Sequence, residues 1–318
     1  MKKKYGFKCL LYIAALLTLG FSNILKAEVV VDDLLIRGGN IEDRTKYFKQ
    51  DFRYGGTQEY PESADFMGRI LKMRSSKLSL VFWCPGKSDA ATGAWRGTIG
   101  MASPSRTNWD LNSFYNVIIN GKTASGYPMT VDEAAGGEKG TLKISWHHPD
   151  ALVTTEFNLL DGDDKLILTT TVLPKVKIPG YEVTLTAYPS SWAGGGEPGA
   201  AIRKREGLTA VRVLERTEKE DNRGSVTATL EKNEPWVLFY DKYFDVAENR
   251  GDGPCAALFS TKEASAASAN VGNYACQLKI SYPAEDKPVS SHMLIWDFKG
   301  MTNQAAIEYM KALEIQGD

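Results

Sequence analysis

The stretch TLKISWHHPDALVTTEF, residues 141–157, alternates apolar and polar side chains on both sides of a short polar turn. Successive side chains of a β-strand point to opposite faces of the sheet, so this alternation is typical of strands with one buried face. A four-residue loop at 148–151 would join the two runs into an antiparallel hairpin. The stretch therefore predicts a β-hairpin, and its recurrence along the chain would indicate an all-β fold.

The loop also sets the register of this hairpin, because it pairs His147 with Leu152 and every earlier residue follows in turn. One face of the hairpin is then apolar and faces a core; its members are Leu142, Ile144, Trp146, Val153, Thr155 and Phe157. The opposite face is polar; it carries Lys143, Ser145, His147 and Glu156. A slip of one residue would exchange the two faces, so the apolar set favours this register.

Two adjacent histidines, His147 and His148, end the first run of the hairpin. Neighbouring strand residues face apart, so the pair cannot chelate one ion, and we assign His148 to the loop. His147 shares its face with Glu156, at about 13 Å for a rise of about 3.3 Å per residue. Both are candidate catalytic residues, although they lie too far apart to act together as an acid–base pair. A hydrogen-bonded structural role is the alternative for His147.

Similar short runs of β-branched and aromatic residues recur from Lys77 to Phe298, separated by Gly, Pro, Asn and Asp. About twelve such runs, without helical patterns between them, favour antiparallel over parallel strands. One helix is expected near the C-terminus, where Thr302 or Asn303 can cap a stripe of apolar residues. We predict an all-β fold, a large antiparallel β-sandwich with a short C-terminal α-helix.

The chain is expected to have three parts. Residues 77–318 form the sandwich domain with its helix, and residues 28–76 form an irregular N-terminal segment packed on it. Residues 1–27 resemble a signal peptide, because a lysine-rich start precedes the short uncharged run CLLYIAALLTLGF. That run is shorter than the roughly 20 residues of a membrane-spanning helix, so no stable span is expected after cleavage. Cleavage is predicted after Ala27 or Ser22, with export to the periplasm or the extracellular space; the alternative is a retained N-terminal anchor.

The charge balance excludes a nucleic-acid-binding protein. The predicted signal peptide holds five of the 38 Lys and Arg residues and none of the 39 Asp and Glu residues. The remaining 33 basic and 39 acidic residues give the mature chain a net charge of −6. No basic block is left that would follow a phosphate backbone.

Three cysteines follow the predicted cleavage site, Cys84, Cys255 and Cys276. In an oxidising compartment Cys255 and Cys276 are the first choice for a disulfide bond, with buried free thiols as the alternative. The Cys and His spacings do not match a zinc site, and we predict neither a metal nor a cofactor.

A second candidate site lies in WVLFYDKYFDV, residues 236–246. If the whole run is a strand, Asp241, Tyr243 and Asp245 share one face. An aromatic ring can stack on a sugar while the two carboxylates beside it accept hydrogen bonds from the sugar hydroxyls. Paired carboxylates also serve as acid and base in glycoside cleavage. The alternative is a strand end with solvated aspartates.

Aromatic residues in polar loops are the remaining candidates for ligand binding. Trp192 lies before the glycine-rich GGGEPG, and Trp95 with Arg96 lies in GAWRG. Tryptophan is costly to leave exposed to water and often stacks on a ligand. The alternative is that each ring folds back over a sheet edge.

The strand pattern, with YEVTLTAYPSSW at 181–192 and the aromatic and acidic WVLFYDKYFD, resembles the galactose-mutarotase-like β-supersandwich of secreted carbohydrate-active proteins. This resemblance implies the sandwich architecture over residues 77–298. The epimerases of that group use a histidine and a glutamate in recognisable contexts. Neither His147 nor His292 has the neighbours expected there, which puts epimerase activity in doubt.

Three functions fit these features. The first is an exported protein that binds a glycan on a concave sheet face without converting it chemically. The second is a lyase, hydrolase or epimerase that uses His147 with Asp241, Asp245 or Glu156, which would require a histidine, a carboxylate and a loop tryptophan in one pocket. The third is a structural protein of the cell envelope. The sequence identifies neither the sugar nor the oligomeric state.

Overall fold

A computed structural model describes residues 29–37, 67–85, 98–101, 108–109, 114–190, 203–215 and 224–313. The predicted signal peptide lies outside these ranges. The strands are β1 Val30–Arg37, β2 Met67–Arg74, β3 Ser79–Pro85, β4 Thr98–Met101, β5 Tyr115–Ile119, β6 Lys122–Thr123, β7 Met129–Ala135, β8 Lys139–His147, β9 Ala151–Leu160, β10 Lys165–Pro174, β11 Gly180–Ala187, β12 Arg205–Thr209, β13 Val213–Glu215, β14 Ser225–Leu230, β15 Trp236–Asp241, β16 Cys255–Phe259, β17 Ala266–Gly272, β18 Cys276–Pro283 and β19 Val289–Asp297. Helix α1 spans Asn303–Ala312, and short 3-10 turns span Ala124–Gly126 and Val246–Glu248.

The strands form two antiparallel sheets. The first sheet has the order β1-β2-β3-β4-β5-β11-β18-β17-β14, with β6 paired to β5. The second has the order β13-β12-β15-β16-β19-β10-β9-β8-β7. The predicted antiparallel sandwich is therefore confirmed.

The opening hairpin is β8 and β9, and its predicted register is confirmed. His147 pairs with Leu152 and Lys143 pairs with Glu156, as the four-residue loop requires. The core-facing set is buried, including Trp146 and Phe157. Each fully buried side chain of this size contributes about 2–3 kcal/mol of hydrophobic stabilisation, and this contribution holds the hairpin in its register.

The core lies between the sheets and includes one polar cluster that joins them. Tyr115 of the first sheet places its hydroxyl 2.9 Å from Thr155 Oγ1 and 2.6 Å from Thr170 Oγ1 of the second. A buried hydroxyl without a partner is costly, so these contacts explain how threonines occupy core positions. Burial raises the pKa of the Tyr115 phenol, which stays protonated.

Helix α1 covers part of the outer face of the second sheet. Thr302 caps it, because its Oγ1 accepts the amide N–H of Ala305 at 3.2 Å. Ala306 and Met310 are fully buried against an outer cluster of the sheet; its strand members are Leu208, Trp236, Leu238, Tyr240, Ala256 and Trp296. The predicted cap and apolar stripe are confirmed. No helix in the described ranges is long and apolar enough to cross a membrane.

The N-terminal segment differs from the predicted irregular segment 28–76. It supplies β1 and β2, which pair with each other, and β2 also pairs with β3 of the first sheet. The adjacent Asp32 and Asp33 interrupt the apolar alternation of β1, which explains why its sequence does not read as a strand. Part of this segment therefore belongs to the sandwich.

The predicted Cys255–Cys276 disulfide bond is not present; both cysteines are buried free thiols, which is the alternative. Their strands are near in sequence but belong to different sheets, since β16 lies in the second and β18 in the first. The Cys255 thiol donates to the carbonyl of Asn108 at 3.2 Å, and burial raises its pKa. The side chain of Cys84 lies outside the described residues.

Candidate functional site

A groove of about 470 Å³ lies on the outer face of the second sheet, over β7 to β10. Its lining residues alternate along each strand, as expected for one face of a sheet. They are Thr130, Asp132, Lys143, Ser145, His147, Leu152, Thr154, Glu156, Thr169 and Thr171. The groove is thus the polar face of the opening hairpin, extended onto the strand on either side.

One register line across the sheet consists of hydroxyl groups. It runs through Thr130, Ser145, Thr154, Thr171 and Ser290, one from each of β7, β8, β9, β10 and β19. Within this hydroxyl row the oxygens of Ser145 and Thr154 are 2.8 Å apart, and so are those of Thr171 and Ser290. Since each hydroxyl can both donate and accept, the row can bond to a ligand in either sense.

The next register line carries charge. This charged row runs through Glu133, Lys143, Glu156, Thr169 and His292. Glu133 reaches it because the register shifts between Val131 and Glu133, as at a β-bulge. The extra residue, Asp132, remains on the groove side and accepts a hydrogen bond from Ser145 Oγ at 2.5 Å.

Both carboxylates that line the groove are held by neighbouring side chains. Asp132 also accepts from Thr130 Oγ1 at 3.1 Å. Glu156 accepts from Asn158 Nδ2 at 2.7 Å and lies 3.8 Å from Lys139 Nζ. These contacts hold the oxygens in position, so they present acceptors of defined geometry to a ligand.

The two histidines of the hairpin face opposite sides of the sheet, as the alternation predicts. His147 is exposed in the groove, and its Nε2 lies 3.3 Å from Thr130 Oγ1. His148 is fully buried, its Nδ1 accepts the amide of Asp150 at 3.1 Å, and its ring packs on Tyr127. Burial lowers the pKa of His148. His147 alone is available to a ligand.

The third histidine, His292, extends the charged row beyond the groove. Its Nδ1 lies 2.9 Å from Glu263 Oε1, and its backbone amide donates to Glu263 Oε2 at 3.1 Å. Glu263 comes from the turn between β16 and β17, where no local sequence pattern identifies it. The sequence therefore does not reveal this pair, which depends on a contact between distant strands.

The second candidate site does not have the predicted geometry. The strand ends at Asp241, whose Oδ1 accepts the amides of Tyr243 at 2.9 Å and Phe244 at 3.2 Å. Asp241 is buried, and its Oδ2 lies 4.0 Å from the Nε of the buried Arg205. Burial raises the pKa of Asp241, against the effect of these hydrogen bonds and of Arg205. This carboxylate stabilises a turn.

Asp245 and Tyr243 have their own local partners. Asp245 Oδ1 accepts the amides of Ala247 at 3.2 Å and Asn303 at 3.0 Å, so it joins the 3-10 turn to the start of α1. Tyr243 is partly exposed, and Lys204 Nζ lies 5.1 Å from the centre of its ring. The predicted arrangement of a tyrosine between two carboxylates on one strand face is therefore wrong.

The remaining predicted ligand-binding residues, Trp95, Arg96 and Trp192, lie outside the described residues, so their stacking role stays a prediction. Within the described ranges no group of three or more His, Cys, Asp or Glu side chains could hold a metal ion.

No family model and no curated protein matches the chain. Solved structures with similarity to it include the GH36 alpha-galactosidase AgaA from Geobacillus stearothermophilus in complex with 1-deoxygalactonojirimycin, at 10% identity and a TM-score of 0.40. That match covers 71% of this chain and 40% of the other, so this chain spans about two fifths of that protein.

Two further matches are the heparan sulfate lyase HepC from Pedobacter heparinus and a galactose mutarotase related enzyme from Lactobacillus acidophilus. The first has 9% identity and a TM-score of 0.35, and covers 81% of this chain and 40% of that one. The second has 9% identity and a TM-score of 0.35, and covers 74% of this chain and 99% of that one. The latter is described as related to galactose mutarotase, the group that the strand pattern resembles, and the likeness is one of architecture alone.

Proposed function

We propose that the protein binds a carbohydrate in the groove over β7 to β10, without chemical turnover. The observation that carries this proposal is the hydroxyl row, flanked by the carboxylates of Asp132 and Glu156 and by the ammonium group of Lys143. A sugar presents many hydroxyls that donate and accept hydrogen bonds, and the floor of the groove offers both donors and acceptors along its length. Leu152 adds an apolar contact at one side.

The positions of the predicted catalytic residues favour binding over catalysis. His147 and Glu156 are separated along the strands by about 13 Å at about 3.3 Å per residue, too far to act on one bond. Asp241 is buried in its turn, and Asp245 bonds to the amides of Ala247 and Asn303. None of these groups joins His147 at one reacting centre.

Glycoside cleavage is the second candidate function, and it rests on the two carboxylates of the groove. Asp132 and Glu156 belong to β7 and β9, two strands apart, which corresponds to about 10 Å between backbones. Inverting glycosidases place their carboxyl groups about 6.5–9.5 Å apart, a distance of the same order as this strand spacing. Product analysis after incubation with any bound glycan separates the two functions, because a binding protein leaves the glycan intact.

A glycan array followed by calorimetry tests the binding proposal. The variant Thr154→Val removes one hydroxyl from the middle of the row and keeps a β-branched side chain. It is expected to weaken binding about fivefold, the effect of one hydrogen bond of about 1 kcal/mol. Thr227→Val is the matched control, because Thr227 is exposed on β14 of the other sheet. Equal loss in both variants, or no glycan bound at all, would overturn the proposal.

A further inference from the structure

The polar rows continue past the groove. Ser290 and His292 of β19 extend the hydroxyl row and the charged row by one strand, so each row crosses five strands from β7. At about 4.8 Å between neighbouring strands, four steps span about 19 Å. This length exceeds a single sugar ring and suits a chain of several.

On one side the rows are bounded by a register line that carries His147 on β8 and apolar residues on β9 and β10. Two positions along from Thr154 and Thr171, the facing pair is Leu152 and Leu173. Leu173 is 40% exposed, so it forms an apolar edge beside the hydroxyl row. A ligand that ran along the strands would leave the polar floor at this edge.

On the other side of the two rows, the side chains offer no hydrogen-bonding groups to a ligand. Beyond the charged row, Thr141 and Asn158 are buried and bonded to each other at 2.9 Å. The same register line then reaches Ile167 and Leu294, which are apolar. Apart from His147 at its edge on β8, the accessible polar floor is therefore a band two rows wide, and its long axis crosses the strands.

The charges along the band determine which kind of chain fits. Acidic side chains are more numerous than lysines here, with two histidines beside them; the acids are Asp132, Glu133, Glu156 and Glu263, against Lys139, Lys143, His147 and His292. An anionic sugar chain would meet like charges, which are unfavourable at short range. A neutral chain can use the same oxygens as hydrogen-bond acceptors.

We propose that the ligand of this groove is a neutral, linear oligosaccharide that lies across the strands from β7 to β19. This inference rests on the proposed carbohydrate binding and adds the length, direction and charge of the ligand. A chain in this direction bonds to the hydroxyl row on one side and to the charged row on the other. Its far end reaches Ser290 and His292.

The test uses an array of malto-, cello-, xylo-, manno- and galacto-oligosaccharides of one to six units, with oligogalacturonides as the anionic series. For the neutral series that binds, affinity is expected to rise over the first four units and then level off. Equal affinity for the monosaccharide and the hexamer would overturn this inference and leave carbohydrate binding intact. Tighter binding of the oligogalacturonides would overturn the neutral assignment. Failure of the whole array would overturn both proposals.

Two variants locate the ligand along the band. Ser290→Ala, at the β19 end, is expected to weaken binding of the longest oligomers about fivefold and to leave binding of the disaccharide unchanged. Thr154→Val, in the middle, is expected to weaken both. Equal effects of Ser290→Ala on short and long chains, or no effect on either, would contradict a ligand that crosses to β19. Thermal unfolding of both variants, compared with Thr227→Val, shows that the fold is retained.

Discussion

At the scale of single residues, burial separates groups that serve the fold from groups that face the ligand. Asp132 lies at the bulge in the middle of β7, and Asp241 is the last residue of β15. Asp132 is exposed and bonds to groove hydroxyls, whereas Asp241 is buried and accepts backbone amides beside Arg205. The sequence context of Asp241, among aromatic residues, resembles that of a sugar-binding site, and only its burial reveals its structural role.

The role of Asp241 predicts a large effect on stability and none on binding. Asp241→Ala leaves the buried guanidinium of Arg205 without its carboxylate partner, and such changes typically cost about 3 kcal/mol or more. Urea unfolding is expected to show this loss. The control Asp245→Ala, at a half-buried cap, is expected to cost about 1 kcal/mol. An unchanged unfolding midpoint for Asp241→Ala, or a specific loss of glycan affinity in the folded variant, would contradict this role.

At the scale of elements, one carboxylate joins the edges of the two sheets. Glu234 accepts from Thr209 Oγ1 at 2.6 Å and from Arg212 Nε at 2.9 Å, at the turn between β12 and β13. Arg212 Nη2 also donates to the carbonyl of Thr229 in β14 of the first sheet. Glu234 is buried. Through Arg212, Glu234 therefore connects the edges of the two sheets, at β13 of the second and β14 of the first.

The pH dependence of this contact follows from the pKa of Glu234. Burial alone would raise it, but the hydrogen bonds from Thr209 and Arg212 outweigh burial and hold the pKa below its usual value of 4.5. The carboxylate therefore stabilises the fold above pH 4.5, and this contribution is lost as the pH falls through the lowered value.

Glu234→Gln is expected to reduce the free energy of unfolding at pH 7 by about 1 kcal/mol, a modest cost because Arg212 is half-exposed and screened by solvent. The difference from the unmodified protein should shrink as the pH is lowered below 4.5. Urea unfolding between pH 3 and pH 7 measures it. A difference that stays constant over this range would contradict the assignment.

The elements also show which features the sequence can predict. The register of β8 and β9 follows from a short loop and an alternation that are both local, and it is confirmed residue by residue. The capped helix is predicted for the same reason. The groove needs β7 beside β8 and β10 beside β9, with β19 beyond, and Ser290 is over a hundred positions from Thr171 in the chain. A pairing over that separation leaves no local signal.

At the scale of the whole molecule, the outer face of the second sheet is divided in two. Near α1 its residues are apolar and covered, as with Trp236 and Trp296. Over β7 to β10 they are polar and line the groove. The change occurs within β19, which carries Ser290 and His292 before Leu294 and Trp296. One sheet therefore serves as core on its inner face, as helix support on half of its outer face, and as the proposed binding surface on the rest.

Export is a proposal about the whole chain, carried by the N-terminal lysines and the uncharged run that follows them. Expression in a Gram-negative host is expected to yield a processed protein outside the cytoplasm. Mass spectrometry should place its first residue at Glu28, or at Asn23 if cleavage follows Ser22. Replacing Lys2, Lys3 and Lys4 by glutamate should reduce export. A cytoplasmic protein that keeps all 318 residues would contradict the proposal.

A glycan that binds across β7 to β10 would change the amide chemical shifts of the groove residues, which can be measured in the labelled mature protein. The neutral oligosaccharide selected on the array is titrated into the protein, and the shifted residues are mapped onto the two sheets. The largest shifts are expected at the groove residues Thr130, Lys143, Ser145, Thr154, Glu156 and Thr171. Shifts centred on Tyr243 and Asp245, with the groove residues unchanged, would contradict binding in the groove.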